Sequence, residues 1–215
     1  MTDANDADAG WQGFAAERLT FFSDAVVAIA ITLLALELPV PGDVSTPREF
    51  WHLLAKGRND YIAFLISFAA IGSHWFLHHN MFSRVARLSG PLVRWNTVWL
   101  LMIVLTPFAT RVIVADGAFA ERFTIYAAVQ GLAAAVFLLA VIEMDRHHLL
   151  REGTDRGLVT RNYHRLSVMA GAFLVSIPIA YATRWAYACW IAVPVLWRVR
   201  TLVVRWRGAM GRRQA

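Results

Sequence analysis

Arg18-Leu-Thr-Phe-Phe-Ser-Asp24 runs directly into Ala25–Leu38, fourteen residues whose only charge is Glu37, and Pro39 and Pro41 follow. An arginine, a serine and an aspartate thus lead into a segment apolar enough to lie in lipid. Holding a carboxylate inside such a helix costs roughly 2.5–3.5 kcal/mol on insertion scales, which marks it as a functional-site candidate. The alternative is a polar cap on a helix end.

Composition points the same way. The 215 residues are 58% hydrophobic and 17% charged, with a mean hydropathy of +0.47, unlike a soluble domain. About 20 apolar residues cross a bilayer as a helix. Six windows qualify, near 17–38, 60–79, 93–114, 122–143, 165–183 and 186–204. We therefore expect an all-α integral membrane protein in three parts. Residues 1–14 form a disordered acidic tail, 15–205 a six-helix membrane domain, and 206–215 a basic cytoplasmic tail. The first window is not read as a signal peptide, because an acidic leader and the lack of a small-residue cleavage site do not suit one.

The basic residues orient the chain. With the N-terminus in the cytoplasm, the inner segments hold Arg18, the groups Arg84–Arg94 and Arg146–Arg165, and the run Arg198–Arg213; the outer loops hold only Arg48, Lys56, Arg58, Arg111, Arg122 and Arg184. That asymmetry obeys the positive-inside rule and leads us to expect a multi-pass protein of the plasma membrane with both termini cytoplasmic. The net charge of +6 then needs no nucleic acid. The arginine run after the last window is expected to rest on anionic lipid. Cys189 is alone, so no disulfide framework or cysteine metal site is implied.

On a helical wheel at about 100° per residue, with Asp24 at the origin, Ile29, Thr32, Leu33 and Leu36 share a face centred near about 130°. Arg18 and Phe22 extend it inward. Ser23 and Asp24 lie on the other side. The stripe could line a pore, face lipid or pack in a core; Ser23 and Asp24 could simply tie the bundle together. In the second window His74 and His78 share a face at i, i+4. Two such imidazoles can bind metal, but no carboxylate or cysteine accompanies them, and hydrogen bonding to Asp24 suits them better. The third window carries Trp95-Asn96 and Thr106-Pro107-Phe108, where the proline is expected to kink the helix.

Arg18-x-x-x-Phe22-Ser23-Asp24, followed by Ala28–Leu34, His78-His79, Trp95-Asn96 and Thr106-Pro107-Phe108, resembles the transmembrane protein 175 potassium channel family over about residues 15–115. The resemblance implies a prokaryotic homotetramer of six-span subunits with four copies of the first helix around a central pore. It implies rings of Ile29, Leu33 and Leu36, a hydroxyl ring from Thr32, and potassium passing transiently near Ile29 and Thr32. Ser23 and Asp24 would hold that helix with a second-span histidine (His74, His78 or His79) and Asn96 or Trp95. Arg18 would pair with an acid at the inner mouth, and Glu37 would attract cations at the outer edge. Ala25 stands where prokaryotic members commonly have glycine.

The resulting expectation is a moderately selective potassium channel, not an enzyme, with no cofactor and a hydrophobic constriction in place of a carbonyl filter. A secondary transporter, or a membrane redox or metal protein built on His74, His78, His79, His147 and His148, are the alternatives.

Overall fold

The structure, a computed structural model, describes residues 2–42 and 45–190. Among the described residues the elements are α1 (Thr2–Leu36), α2 (Pro47–Lys56), α3 (Arg58–Phe82), α4 (Gly90–Val114), α5 (Phe119–Arg146), α6 (Arg156–Ala182) and a single 3-10 turn, Arg184–Tyr187. Among the described residues, five helical segments are long and apolar enough to cross a membrane: Gly10–Leu36, Arg58–Phe82, Gly90–Val114, Phe119–Arg146 and Arg156–Ala182. The chain turns helical again at 188–190; the rest of the sixth expected span and the basic tail lie outside the described residues.

Two boundaries differ from the sequence reading. Helix α1 begins at Thr2, inside the stretch expected to be disordered. Ala4, Ala7 and Ala9 have the highest helix propensity, and an apolar helix downstream removes the nucleation cost of extending it. The polar stretch 144–164, left between the windows near 122–143 and 165–183, is mostly helical: only 147–155 separates α5 from α6. Asp155 explains the early start of α6, since its carboxylate accepts from Gly157 N–H at 2.8 Å and so caps the helix. That bond and Arg161 hold the Asp155 carboxyl below its ordinary pKa.

Capping chemistry sets other ends. Thr46 accepts from Glu49 N–H at 3.2 Å while Glu49 reaches back to Ser45 N–H, and Pro47 opens the short amphipathic α2. Ser89 caps α4 through Leu92 N–H at 3.1 Å and donates to Glu143 of α5 at 2.8 Å. Pro107 stays buried within an unbroken α4.

Helix α5 lies between α4 and α6, while α1 packs on α3 and α4. Small residues make the α5–α6 contact close: a Cβ on Gly131 would stand 2.8 Å from Leu174 Cδ2 and 3.2 Å from Phe173 Cβ. Trp190 seals the end of the bundle where α6 terminates, stacked on Phe123 at 4.5 Å and donating to Ser176 at 2.9 Å. Gly131→Val is expected to destabilise the fold by about 1–3 kcal/mol through overpacking, read as a lower thermal midpoint in detergent.

Candidate functional site

Helix α1 divides into two faces. Ala16, Thr20, Ser23, Val27, Ala30 and Leu34 are buried against the rest of the chain, at alternating three- and four-residue spacing, the repeat that keeps one stripe of a helix against its neighbours. The opposite face is unpacked within the subunit: Ile29 is 60% exposed, Leu33 40% and Leu36 78%, and Thr32 is exposed between them. The Thr32 hydroxyl donates to Ile29 O at 2.8 Å. Its hydrogen is thereby directed along its own helix, and its lone pairs remain on the open side. Phe22 is also exposed. Arg18 stands over the Phe14 ring at 5.8 Å and, among the described residues, forms no ion pair with an acid.

Two consecutive polar residues attach the buried face to two different helices. Asn96 of α4, fully buried, donates from Nδ2 to Ser23 Oγ at 3.0 Å, and Ser23 donates in turn to Leu19 O at 2.8 Å. The Asn96 carbonyl faces His78 Nε2 at 2.8 Å. Because that oxygen can only accept, the His78 proton resides on Nε2. The imidazole is held flat between Trp99, at 4.2 Å and 5°, and Phe82, at 4.1 Å and 15°. Stacked and bonded in this way, His78 is locked in one orientation.

Asp24, about 100° further round the helix, meets α3. Its Oδ1 accepts from Trp75 Nε1 at 2.9 Å and its Oδ2 lies 3.0 Å from His79 Nδ1. Of the second-span histidines expected here, His79 meets Asp24, joined by Trp75, while His74 and His78 make no hydrogen bond to it. Asp24 sits at the rim of the packed face, and the rim of α3 presents the residues one position round from the buried imidazoles. Spacing along α3 alone does not reveal which of its faces turns to α1.

His74 is buried beside Gln130 of α5, with neither side chain in a hydrogen bond of standard geometry. Trp95 packs against the apolar core, outside the polar network. Among the described residues no three His, Cys, Asp or Glu side chains converge as a metal site would require. The expectation for Glu37 needs correcting: Arg111, in the last turn of α4, pairs with it at 2.8 Å, so its charge is neutralised locally. Both residues end helices at the same depth, a signal that comparing span ends would have exposed. A further buried set, Thr110 donating to Ser67 at 2.7 Å and Ser67 meeting the Tyr126 hydroxyl at 3.1 Å, went unread because single hydroxyls in apolar helices have no diagnostic spacing.

Replacing Asn96 by leucine leaves the His78 Nε2–H buried without an acceptor. A buried unsatisfied donor costs about 1–3 kcal/mol, so Asn96→Leu is expected to lower the thermal midpoint more than Asp24→Ala, whose partners reach water.

Comparison with known proteins follows this geometry. The family model described as "Endosomal/lysosomal potassium channel TMEM175" matches residues 18–107, the segment carrying the second half of α1, with Asp24, and Asn96 of α4. A Chamaesiphon minutus protein named as a potassium channel is 32% identical over 184 residues, covering 78% of this chain and 85% of that one. A Streptomyces collinus potassium channel is 41% identical over 93 residues, covering 43% of this chain and 45% of its own length. The crystal structure of a lysosomal potassium-selective channel TMEM175 homolog from Chamaesiphon minutus superposes with a TM-score of 0.70 at 28% identity, covering 86% of this chain and 97% of that chain. With a relative of that similarity matched over most of its length, and with the same helical architecture, this chain belongs to the TMEM175 family of ion channels.

Proposed function

We propose that the chain forms a potassium channel, passing some other monovalent cations, in which four copies gather their α1 helices around a common axis. Six spans per subunit, the sixth over 186–204, would place both termini in the cytoplasm of a prokaryotic cell. The basic run Arg198–Arg213 would then lie on anionic lipid of the plasma membrane.

The observation that carries this reading is the division of α1. Its small and polar face is consumed by the subunit, while Ile29, Leu33 and Leu36 are left without cover. A pore would use both features of this stripe, its branched apolar side chains and the one hydroxyl among them. From Ile29 to Leu36 is seven residues, about 10 Å of axis, so rings at Ile29, Leu33 and Leu36 make a short apolar sleeve. Such a sleeve excludes water when narrow and gates by dewetting. A cation that sheds part of its shell there needs oxygen lone pairs, and Thr32 keeps its own outward because its hydrogen is bonded to Ile29 O. With no charged ring in the sleeve, selectivity is expected to be moderate.

Ser23, Asp24, His78, His79 and Asn96 act as positioning residues in this reading. They set the rotation of α1 and so which side chains meet the axis. The transporter alternative requires substrate-saturable flux and discontinuous helices; α1 and α3 are continuous.

Two measurements test the proposal. In planar bilayers under potassium and sodium gradients, Ile29→Asn is expected to raise unitary conductance and shrink potassium preference, since a wetted ring no longer demands dehydration. Unchanged conduction would remove Ile29 from the constriction. Asp24→Ala is expected to lower assembly or thermal stability while the surviving channels keep wild-type selectivity. A stable assembly with altered selectivity would mean that α1 is rotated differently about the axis.

A further inference from the structure

At the end of the bundle where α1 begins, the α3–α4 and α5–α6 connections are stitched together. Ala86 N–H donates to Leu149 O and Arg151 N–H to Arg84 O, each at 2.8 Å, with Val85 and Leu150 paired as an antiparallel bridge. The pairing is tight enough to hold His148 at φ 50°, a left-handed conformation uncommon for a residue with a Cβ. Two connections that could each have moved freely are thus locked to one another. Between them lies a cleft of about 600 Å³.

Three arginines from three separate pieces of chain line this cleft: Arg87 before α4, Arg151 in the α5–α6 connection, and Arg156 in the first turn of α6. Arg87 reaches the His148 carbonyl at 3.5 Å. Among the described residues none of the three is paired with a carboxylate. Asp155 holds Arg161 at 3.1 Å and the α6 N-terminus, and Asp145, which also lines the cleft, accepts from the Tyr163 hydroxyl at 3.4 Å. Buried Met144 and Val159 supply an apolar floor.

Guanidinium groups lining one cleft without ion-pair partners suit a tetrahedral oxyanion, because their planar forks match phosphate oxygens in pairs. Glu152 also lines the cleft. It would repel a bare phosphate but can accept a hydrogen bond from a hydroxyl on the same ligand. The cleft stands at the ends of the membrane helices, the depth of lipid headgroups, where basic pockets between spans bind acidic lipids. The geometry points to a binding site for a phosphoglycerol group, held by Arg87, Arg151 and Arg156 through its phosphate and by Glu152 through its glycerol hydroxyls. The same chemistry is offered by a phosphatidylglycerol headgroup and by soluble glycerol phosphate. This site is separate from the α1 stripe and does not depend on ion conduction.

The test is a phosphatidylglycerol titration of the full chain in neutral detergent, read by native mass spectrometry, for the wild type and for the triple variant Arg87→Gln, Arg151→Gln, Arg156→Gln. Each lost guanidinium is expected to weaken binding about fivefold, about 100-fold together. Arg94→Gln with Arg146→Gln, at the same membrane end but outside the cleft, is expected to leave binding unchanged. The run Arg198–Arg213 is present in every variant, so its contribution cancels. Competition with sn-glycerol 3-phosphate separates the sources: displacement of bound lipid at millimolar concentration assigns the site to the soluble ester, and failure to displace assigns it to the lipid. If the triple variant does not reach the wild-type elution profile, Arg151→Lys and Arg151→Gln carry the test, with lysine expected to retain the larger share of binding. Equal binding of both ligands by wild type and variant, or no binding by the wild type, overturns the proposal.

Discussion

The bond between Asn96 and Ser23 is the constraint on which the arrangement of this protein turns. Polar side chains inside a membrane bundle must find one another, and Asn96 satisfies two at once, Ser23 on α1 and His78 on α3. Three helices are thereby brought to one depth and one rotation. Apolar packing alone does not do this, because a leucine stripe tolerates sliding and turning by a fraction of a residue, whereas a hydrogen bond does not.

The neighbouring residue completes the attachment. Asp24 points to a different edge of α3 and takes two donors there, Trp75 and His79. With Ser23 fixed to α4 and Asp24 to α3, α1 has no freedom to rotate. Its remaining face, carrying Ile29, Thr32, Leu33 and Leu36, is turned away from the subunit as a consequence. The costly carboxylate and the exposed apolar stripe are therefore two sides of one device: the first orients the second.

The two ends of the bundle differ in how charge is handled. At the end where α1 terminates, Glu37 and Arg111 cancel one another, and the edge of the stripe is left electrically quiet. At the opposite end, Arg87, Arg151 and Arg156 have no acidic partner among the described residues, and the connections beside them are joined by backbone hydrogen bonds. Loops joined in this way form a surface of defined shape, which flexible basic loops would not.

Residue periodicity along single helices was legible without the structure. Apolar windows of sufficient length announce a helical membrane protein, and the wheel of α1 separates Ser23 and Asp24 from the Ile29 stripe, because a helix repeats every 3.6 residues whatever surrounds it. Relations between helices were not legible. Asp24 meets Trp75 beside His79 while His74 and His78 do not reach it, Glu37 meets Arg111, and α6 extends well into a stretch that reads as loop. Each of these depends on the relative rotation and depth of two segments, and a hydrogen bond between residues more than fifty positions apart leaves no trace in the spacing of either. The sequence by itself determined which faces each helix offers; only the tertiary structure decided which of those faces meet, since that choice is made by the few geometries in which Asn96, Ser23, His78 and Asp24 find hydrogen-bond partners together.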